Sequence, residues 1–279
     1  MIKVIGIGDN VVDKYIHTRT MYPGGNALNF SVFAKKLGAV AAYIGNFGTD
    51  IAAEHIRQIL GELDIDISRC RTYEGENGFA RVSLQDGERV FLPGNGGGIN
   101  REHFLHFDAQ DLAYIKQFDL IHSSCYSYME DSLDELQAAG IPISFDFSDK
   151  LSEAYMEKVC PKVNFAFLSC SDMTEIEVKG RLEIAKKYGC DFTVASRGDK
   201  GAIFYDGESF IAQEAYLVKP VDTMGAGDSF ITAFLFKMLE KDALGEANKE
   251  TIKESMDFAA KRAAETCGVN GTFGYGAAF

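Results

Sequence analysis

The sequence predicts an α/β fold, a mainly parallel central sheet with helices on both faces and a small second β-sheet beside it. Three observations carry this reading. Runs that are apolar throughout, at residues 4–7, 41–44, 120–122, 141–145, 165–168 and 192–195, have the length and composition of strands buried on both faces. Segments of helical periodicity separate them, and that alternation is the pattern of a parallel sheet. Residues 80–84 and 88–92 instead alternate with a period of two around Asp86-Gly87, a hairpin signal, and residues 14–18 alternate likewise. Strands of that kind keep one polar face, so they form either a small separate sheet or a hairpin lying on the main domain.

In chain order, the first strand leads to Asp9, Asn10 and Asp13, and then to a helix over 26–37 that closes on Gly38. Helices over 51–60 and 132–139 close on Gly61 and Gly140 by the same rule. Four glycines within residues 94–98 make a return from the alternating strands. Residues 202–205 and 209–212 flank Asp206-Gly207 and predict a hairpin that adds antiparallel strands at one edge of the main sheet. Beyond Pro220, the residues Phe230, Ala233, Phe234 and Met238 mark a helix that begins near Ala226. A further helix covers 253–267, followed by a tail, 268–279, rich in glycine and aromatic residues; the tail either closes over a ligand or packs at an edge. The whole chain, 1–279, reads as one domain, with the second sheet drawn from about 12–20 and 76–97.

A net charge of −13 over 279 residues argues against nucleic acid and against anionic membrane surfaces as partners. No run approaches the roughly 18 to 20 apolar residues of a membrane span. The six cysteines form no C-x-x-C pair and the histidines have no zinc-like spacing, so reduced thiols in a cytoplasmic protein are expected. The opening Met1-Ile2-Lys3-Val4-Ile5 reads as a strand and not as a signal peptide.

The chemistry concentrates in Asp222-Thr223-Met224-Gly225-Ala226-Gly227-Asp228. Gly225 and Gly227 permit unusual dihedrals and close approach, and the first N–H groups of the helix they open lack intrahelical partners, which suits an anion. Asp228 would repel a resting phosphate. It fits a base that takes a proton from an attacking hydroxyl, or else an ordinary first-turn carboxylate. No P-loop and no G-x-G-x-x-G fingerprint offers another phosphate site. Ser196-Arg197-Gly198-Asp199-Lys200-Gly201 follows a predicted strand and is either a second anion-facing turn or a plain polar turn. Asp9, Asn10, Asp13, Gly25 and Asn26 stand where open α/β sheets bind ligands, and short carboxylates and amides suit sugar hydroxyls. A turn at Asp9-Asn10 and a helix N-cap at Asn26 are the plain alternatives.

These motifs resemble the ribokinase-like, or PfkB, carbohydrate kinases along essentially the whole chain. The Asp222–Asp228 run matches that family's C-terminal signature; Gly24-Gly25-Asn26, Gly38 and Gly45-Asn46-Phe47-Gly48-Thr49-Asp50 resemble its first signature. The resemblance implies a ribokinase-like fold, whose second sheet is a lid over the sugar and often a homodimer contact. It implies ATP with Mg²⁺, and with a monovalent cation in some members. Ser196, Gly198, Gly201, Thr223, Gly225 and Gly227 would then face the nucleotide, with Asp228, Gly225, Ala226 and Gly227 as the catalytic group. The family's N-x-x-E metal motif corresponds to Asp172-Met173-Thr174-Glu175, with Asp172 in place of asparagine and Asp172 and Glu175 acting on the metal through water; an N-cap at Asp172 is compatible with this. Asp146-Phe147-Ser148-Asp149-Lys150 is similar to the D-x-N-x-R element of keto-sugar acid kinases, in which Lys150 would reach the transferred phosphoryl group, against a solvated strand-end lysine. Gly6–Asp13, Tyr22–Asn26 and Phe145–Lys150 look most like the members that phosphorylate fructoselysine on C6. The function implied is ATP-dependent phosphorylation of a sugar's primary hydroxyl, with fructoselysine or a related fructosamine as substrate. Ribose, fructose or a keto-sugar acid are the alternatives within the class, and a non-catalytic sugar-binding protein outside it.

Overall fold

Eight strands form the main sheet of the computed structural model, which describes residues 1–85, 88–245 and 247–279. Their order is Phe210–Gln213, Ala202–Tyr205, Phe192–Ser196, Phe165–Ser169, Ile143–Ser148, Leu120–Ser124, Lys3–Ile7 and Val40–Ile44. The last six run parallel, and the hairpin of the first two adds antiparallel pairs at one edge, as the sequence predicts.

Most of the apolar runs are continuous because the strand feeds two cores with alternate residues. Ile5, Ile7, Ile121, Ala166, Leu168 and Ala195 enter one core, closed by Ile115, Leu133, Met156, Val178 and Leu182 of four helices. Val4, Leu120, Phe165, Phe167, Phe192 and Val194 enter the other, where Phe30, Phe234 and Met256 come from the helices Asn26–Lys36, Ala226–Glu240 and Lys249–Thr266. Phe234, fully buried, meets Phe167 and Phe192 edge-on at centroid distances of 6.2 and 5.7 Å. Truncating such a ring to alanine costs about 3–5 kcal/mol. That packing fixes the helix whose first turn carries Asp228.

The second sheet has five strands in the order Ala277–Ala278, Thr20–Gly24, Val11–Tyr15, Gly78–Gln85 and Glu88–Leu92. The segment read as a strand over 14–18 stops at Tyr15 and turns, with Thr18 N–H bonded to Tyr15 O at 3.3 Å and Arg19 at φ 49°, before a second strand begins. The tail joins this sheet through Ala277 and Ala278, so it packs at an edge. The hairpin turn Asp86-Gly87 lies outside the described residues. The helix Ile51–Glu62 runs through Gly61 and closes where Ile65 N–H reaches Leu60 O at 3.0 Å, with Asp64 taking the positive φ expected of Gly61. Among the described residues no helix is long and apolar enough to cross a membrane.

Candidate active site

Two cavities open at the carboxyl ends of the parallel strands, the place where sheets of this kind take ligands. The first, about 630 Å³, has Asp9, Asp146 and Asp228 among its walls, with Asp13, Phe79 and Phe91 of the second sheet facing them. The second, about 610 Å³, lies between the turn that holds Gly198 and Gly201 and the helix face of Ala260, Ala263 and Ala264. Ser169, Ser196, Gly227 and Phe230 border both. The contents of the two cavities therefore meet at the first turn of the helix Ala226–Glu240.

That turn is held by its neighbours. Gly225 is left-handed at φ 74°, and a Cβ there would lie 2.2 Å from Thr272 Cγ2. Gly227 differs, since a Cβ on it would project into open space, so its bareness leaves room for a ligand. Asp222 anchors the approach: its carboxylate accepts from Met224 N–H at 3.0 Å, Gly271 N–H at 2.9 Å and the Tyr15 hydroxyl at 2.6 Å.

Asp228 receives Asn26 Nδ2 on Oδ1 at 2.8 Å and Asn29 Nδ2 on Oδ2 at 2.6 Å. The same Asn26 Nδ2 donates to Asp146 Oδ2 at 2.6 Å, so one amide bridges two carboxylates. Asn26 Oδ1 then faces His122 Nε2 at 2.9 Å, and His122 Nδ1 faces Ser144 Oγ at 2.7 Å. Burial pushes the His122 imidazole down to about 3, so it is neutral. An Asn26 amide turned with its NH₂ toward the carboxylates needs a donor at Oδ1, which places the imidazole proton on Nε2 and leaves Nδ1 to accept from Ser144. Burial, then the Asp146 charge, pushes Asp228 up to about 8 against the opposing Asn29 bond, with Asp9 and Asp13 adding to the rise. Asp146 is pushed up to about 6, by burial first and by the Asp9 and Asp149 charges, against the bonds from Ser148 N–H and Asn26. A carboxylate raised in this way is well matched to general-base work near neutral pH.

The structure brings most of the sequence-predicted residues to these cavities and leaves others outside them. Asp13, Gly25, Asn26, Gly225, Gly227 and Asp228 line the first cavity, and Ser196, Gly198, Gly201, Thr223, Ala226 and Gly227 the second. Asp9 lines the first cavity too, but its oxygens are committed. They accept from Asn26 N–H at 2.7 Å, Ala27 N–H at 3.2 Å, Ser127 Oγ at 2.8 Å and Ser124 Oγ at 3.1 Å. Asp9 is thus the remote cap of the helix Asn26–Lys36, whose own N-cap, Gly25, has no side chain to offer, and Asn26 is not that cap. Asn10 is wholly buried and structural: it donates to Tyr43 Oη at 2.9 Å and Asn46 O at 2.8 Å and accepts from Asn77 at 2.8 Å. Lys150 lines neither cavity, because its ammonium is held by Cys125 O at 2.8 Å and lies 4.7 Å from the centre of the Tyr126 ring.

Asp172 and Glu175 are exposed and line neither cavity. The cap of the helix Glu175–Lys187 is Thr174, in a capping box with Glu177, and not Asp172. Glu175 pairs with Lys179 at 2.7 Å and stands 3.9 Å from Arg197. Their expected action on a metal is through water, and neither carboxylate forms part of a cavity wall.

Sequence reading passed over two residues. Asn29 lies one turn beyond Asn26 on the same helix face, and its buried Oδ1 has no donor among the described residues. The spacing from Asn26 was a usable signal. His122 sits in an apolar strand and carries no local signal at all.

The sequence from residue 1 to 274 matches the pfkB family carbohydrate kinases, and the chain belongs to that family. It is a phosphotransferase of the sugar-kinase class. It is 42% identical to the fructosamine kinase FrlD of Bacillus subtilis (strain 168), across 98% of this chain and 94% of that protein. It is 34% identical to the fructoselysine 6-kinase of Escherichia coli (strain K12), across 82% and 86%. Among solved structures, Arabidopsis thaliana ribokinase complexed with ribose and ATP superposes with a TM-score of 0.80 at 20% identity, covering 98% of this chain and 95% of that one. Aminoimidazole riboside kinase from Salmonella enterica gives 0.77 at 21%, covering 97% and 95%. These last two show the same fold.

Proposed function

We propose that the protein transfers the γ-phosphoryl group of ATP to the C6 hydroxyl of a fructosamine, with fructoselysine as the reference substrate. One observation carries the chemistry: Asp228, a carboxylate with a raised pKa, lines the first cavity next to Gly227, which borders both. The sugar occupies the cavity under the second sheet, which acts as its lid within a single domain, and the nucleotide the cavity between the Gly198–Lys200 turn and the late helix. Asp228 takes the hydroxyl proton as O6 forms its bond to the γ-phosphorus, the bond to the bridging oxygen breaks, and ADP leaves with that electron pair. The first-turn N–H groups beside Gly225, Ala226 and Gly227 face the charge that spreads over the phosphoryl oxygens. Mg²⁺ would supply charge neutralisation for the phosphates, with Asp172 and Glu175 the residues that would act on it through water.

The substrate class is supported by the two relatives named for fructosamine and fructoselysine. ADP release measured over fructoselysine, free fructose, ribose and 2-keto-3-deoxygluconate tests it. Fructoselysine is expected to give the highest kcat/KM, and equal or greater efficiency on fructose would overturn the fructosamine reading.

A further inference from the structure

The first cavity gathers carboxylates with no cationic side chain to balance them among the described residues. Asp9, Asp13, Asp146 and Asp228 line it, and among the described residues no lysine, arginine or histidine does. Independently, Asn29 Oδ1, buried beside Asp228, has no donor among the described residues. A ligand that fits this cavity brings N–H and O–H groups and positive charge, because a neutral sugar leaves the mutual repulsion of the carboxylates uncompensated.

The four carboxylates are not equivalent. Asp9 is saturated by the helix cap and two serines. Asp228 faces the reacting hydroxyl. Asp146 accepts one bond on each oxygen, from Ser148 N–H at 2.8 Å and Asn26 Nδ2 at 2.6 Å, and an ionised carboxylate has room for about four. The Asn26 amide, oriented by His122, also sets the spacing of Asp146 from Asp228, since both lie within 2.8 Å of one nitrogen. In the furanose form of a fructosamine, the C1 amine and the C6 hydroxyl project from the two ring carbons that flank the ring oxygen. A pair of carboxylates bridged by one small amide matches a pair of groups separated only by that short unit.

Resting on the fructosamine reading above, we infer that Asp146 is the specificity-determining carboxylate, receiving the protonated secondary amine on C1 while Asp228 faces the C6 hydroxyl. The amine is thereby read by charge, in a pocket that offers a neutral C1 substituent no such gain.

The experiment compares kcat/KM for fructoselysine with that for its ether analogue, in which oxygen replaces the C1 nitrogen, in the wild-type enzyme and in Asp146→Asn and Asp13→Asn. A charged hydrogen bond contributes about 1.5–3 kcal/mol, so the wild-type preference for amine over ether is expected to be about tenfold or more. Asp146→Asn should remove most of that preference, and Asp13→Asn should weaken both substrates while keeping their ratio within about threefold. An unchanged ratio in Asp146→Asn, or its collapse in Asp13→Asn instead, overturns the assignment. Equal use of amine and ether by the unmodified enzyme does so without any variant. Failure of the fructosamine reading looks different: the wild-type enzyme would then turn over free fructose as well as fructoselysine.

Discussion

The two cavities that meet at Gly227 are made of opposite materials. One presents side chains, four carboxylates with the aromatic rings of Tyr126, Tyr128, Phe79 and Phe91 around them. The other presents one carboxylate, Asp199, and otherwise bare backbone at Gly198, Gly201 and Gly227, short residues such as Ala260, Ala263 and Ala264, and an apolar side formed by Tyr216, Leu217, Val218 and Phe230. The difference teaches how one site can treat its two substrates differently. A sugar is told from another sugar by the direction of its hydroxyls, which takes polar groups fixed in place. A triphosphate needs N–H groups and space, which bare backbone supplies.

Substitutions on the two sides should therefore fail in different ways. Asp228→Asn is expected to lose at least about a hundredfold in kcat, as removal of a general base commonly does, with sugar binding retained in calorimetry; unchanged turnover would place the base elsewhere. Gly227→Val fills the shared border and should cut kcat/KM for ATP by about thirtyfold, a loss of roughly 2 kcal/mol of the kind that follows when a fixed polar contact is displaced, while the melting temperature holds. His122→Phe keeps the stacking on Phe30 but removes the donor to Asn26 Oδ1. The freed amide no longer holds its NH₂ toward Asp228, so kcat should fall about tenfold and the acid limb of the pH profile should move upward. His122→Gln, which can still donate, should restore part of both. A merely structural role would lower stability and leave the acid limb in place.

The pH dependence follows from the same carboxylate. Asp228 must be ionised to accept a proton, and with its pKa raised to about 8, kcat/KM for the sugar should climb with pH and level off above about 8. Stability runs the other way. A carboxyl group whose folded pKa lies above its unfolded value favours the fold most at low pH, and that contribution is lost as pH rises through the folded pKa. The smallest expected effect is thus thermal: Asp228→Asn and wild type should melt together below about pH 4, where the carboxyl is protonated in both states, and the variant should melt about 3 °C or more above wild type at pH 8.5. A constant gap across that range would show that the carboxylate's charge is not the cause.

Much of this was legible from the residues alone, for identifiable reasons. Strands that feed two cores must be apolar throughout, so their runs announce themselves, and a hairpin around Asp206-Gly207 is a local event. The glycines at 225 and 227 flag the turn that carries Asp228 because backbone geometry and ligand access both demand them. The capping role of Asp9 was not legible because capping is normally sought within a few residues of a helix start, whereas here the acceptor comes from 17 residues upstream. Asn10 and Lys150 misled because a polar residue after a strand reads the same whether it turns toward a ligand or into the protein. His122 lies 96 residues from the amide it orients, a distance over which no local pattern operates.

Asp222 carries a mechanical consequence. The Tyr15 hydroxyl that it accepts ends a strand of the second sheet, and Gly271 opens the tail that returns to the same sheet. Its other oxygen holds Met224, immediately before the turn at Gly225. One carboxylate thus pins three parts of the chain together, so a displacement of the second sheet is carried to the first turn of the helix Ala226–Glu240, and a load on that turn is carried back to the sheet.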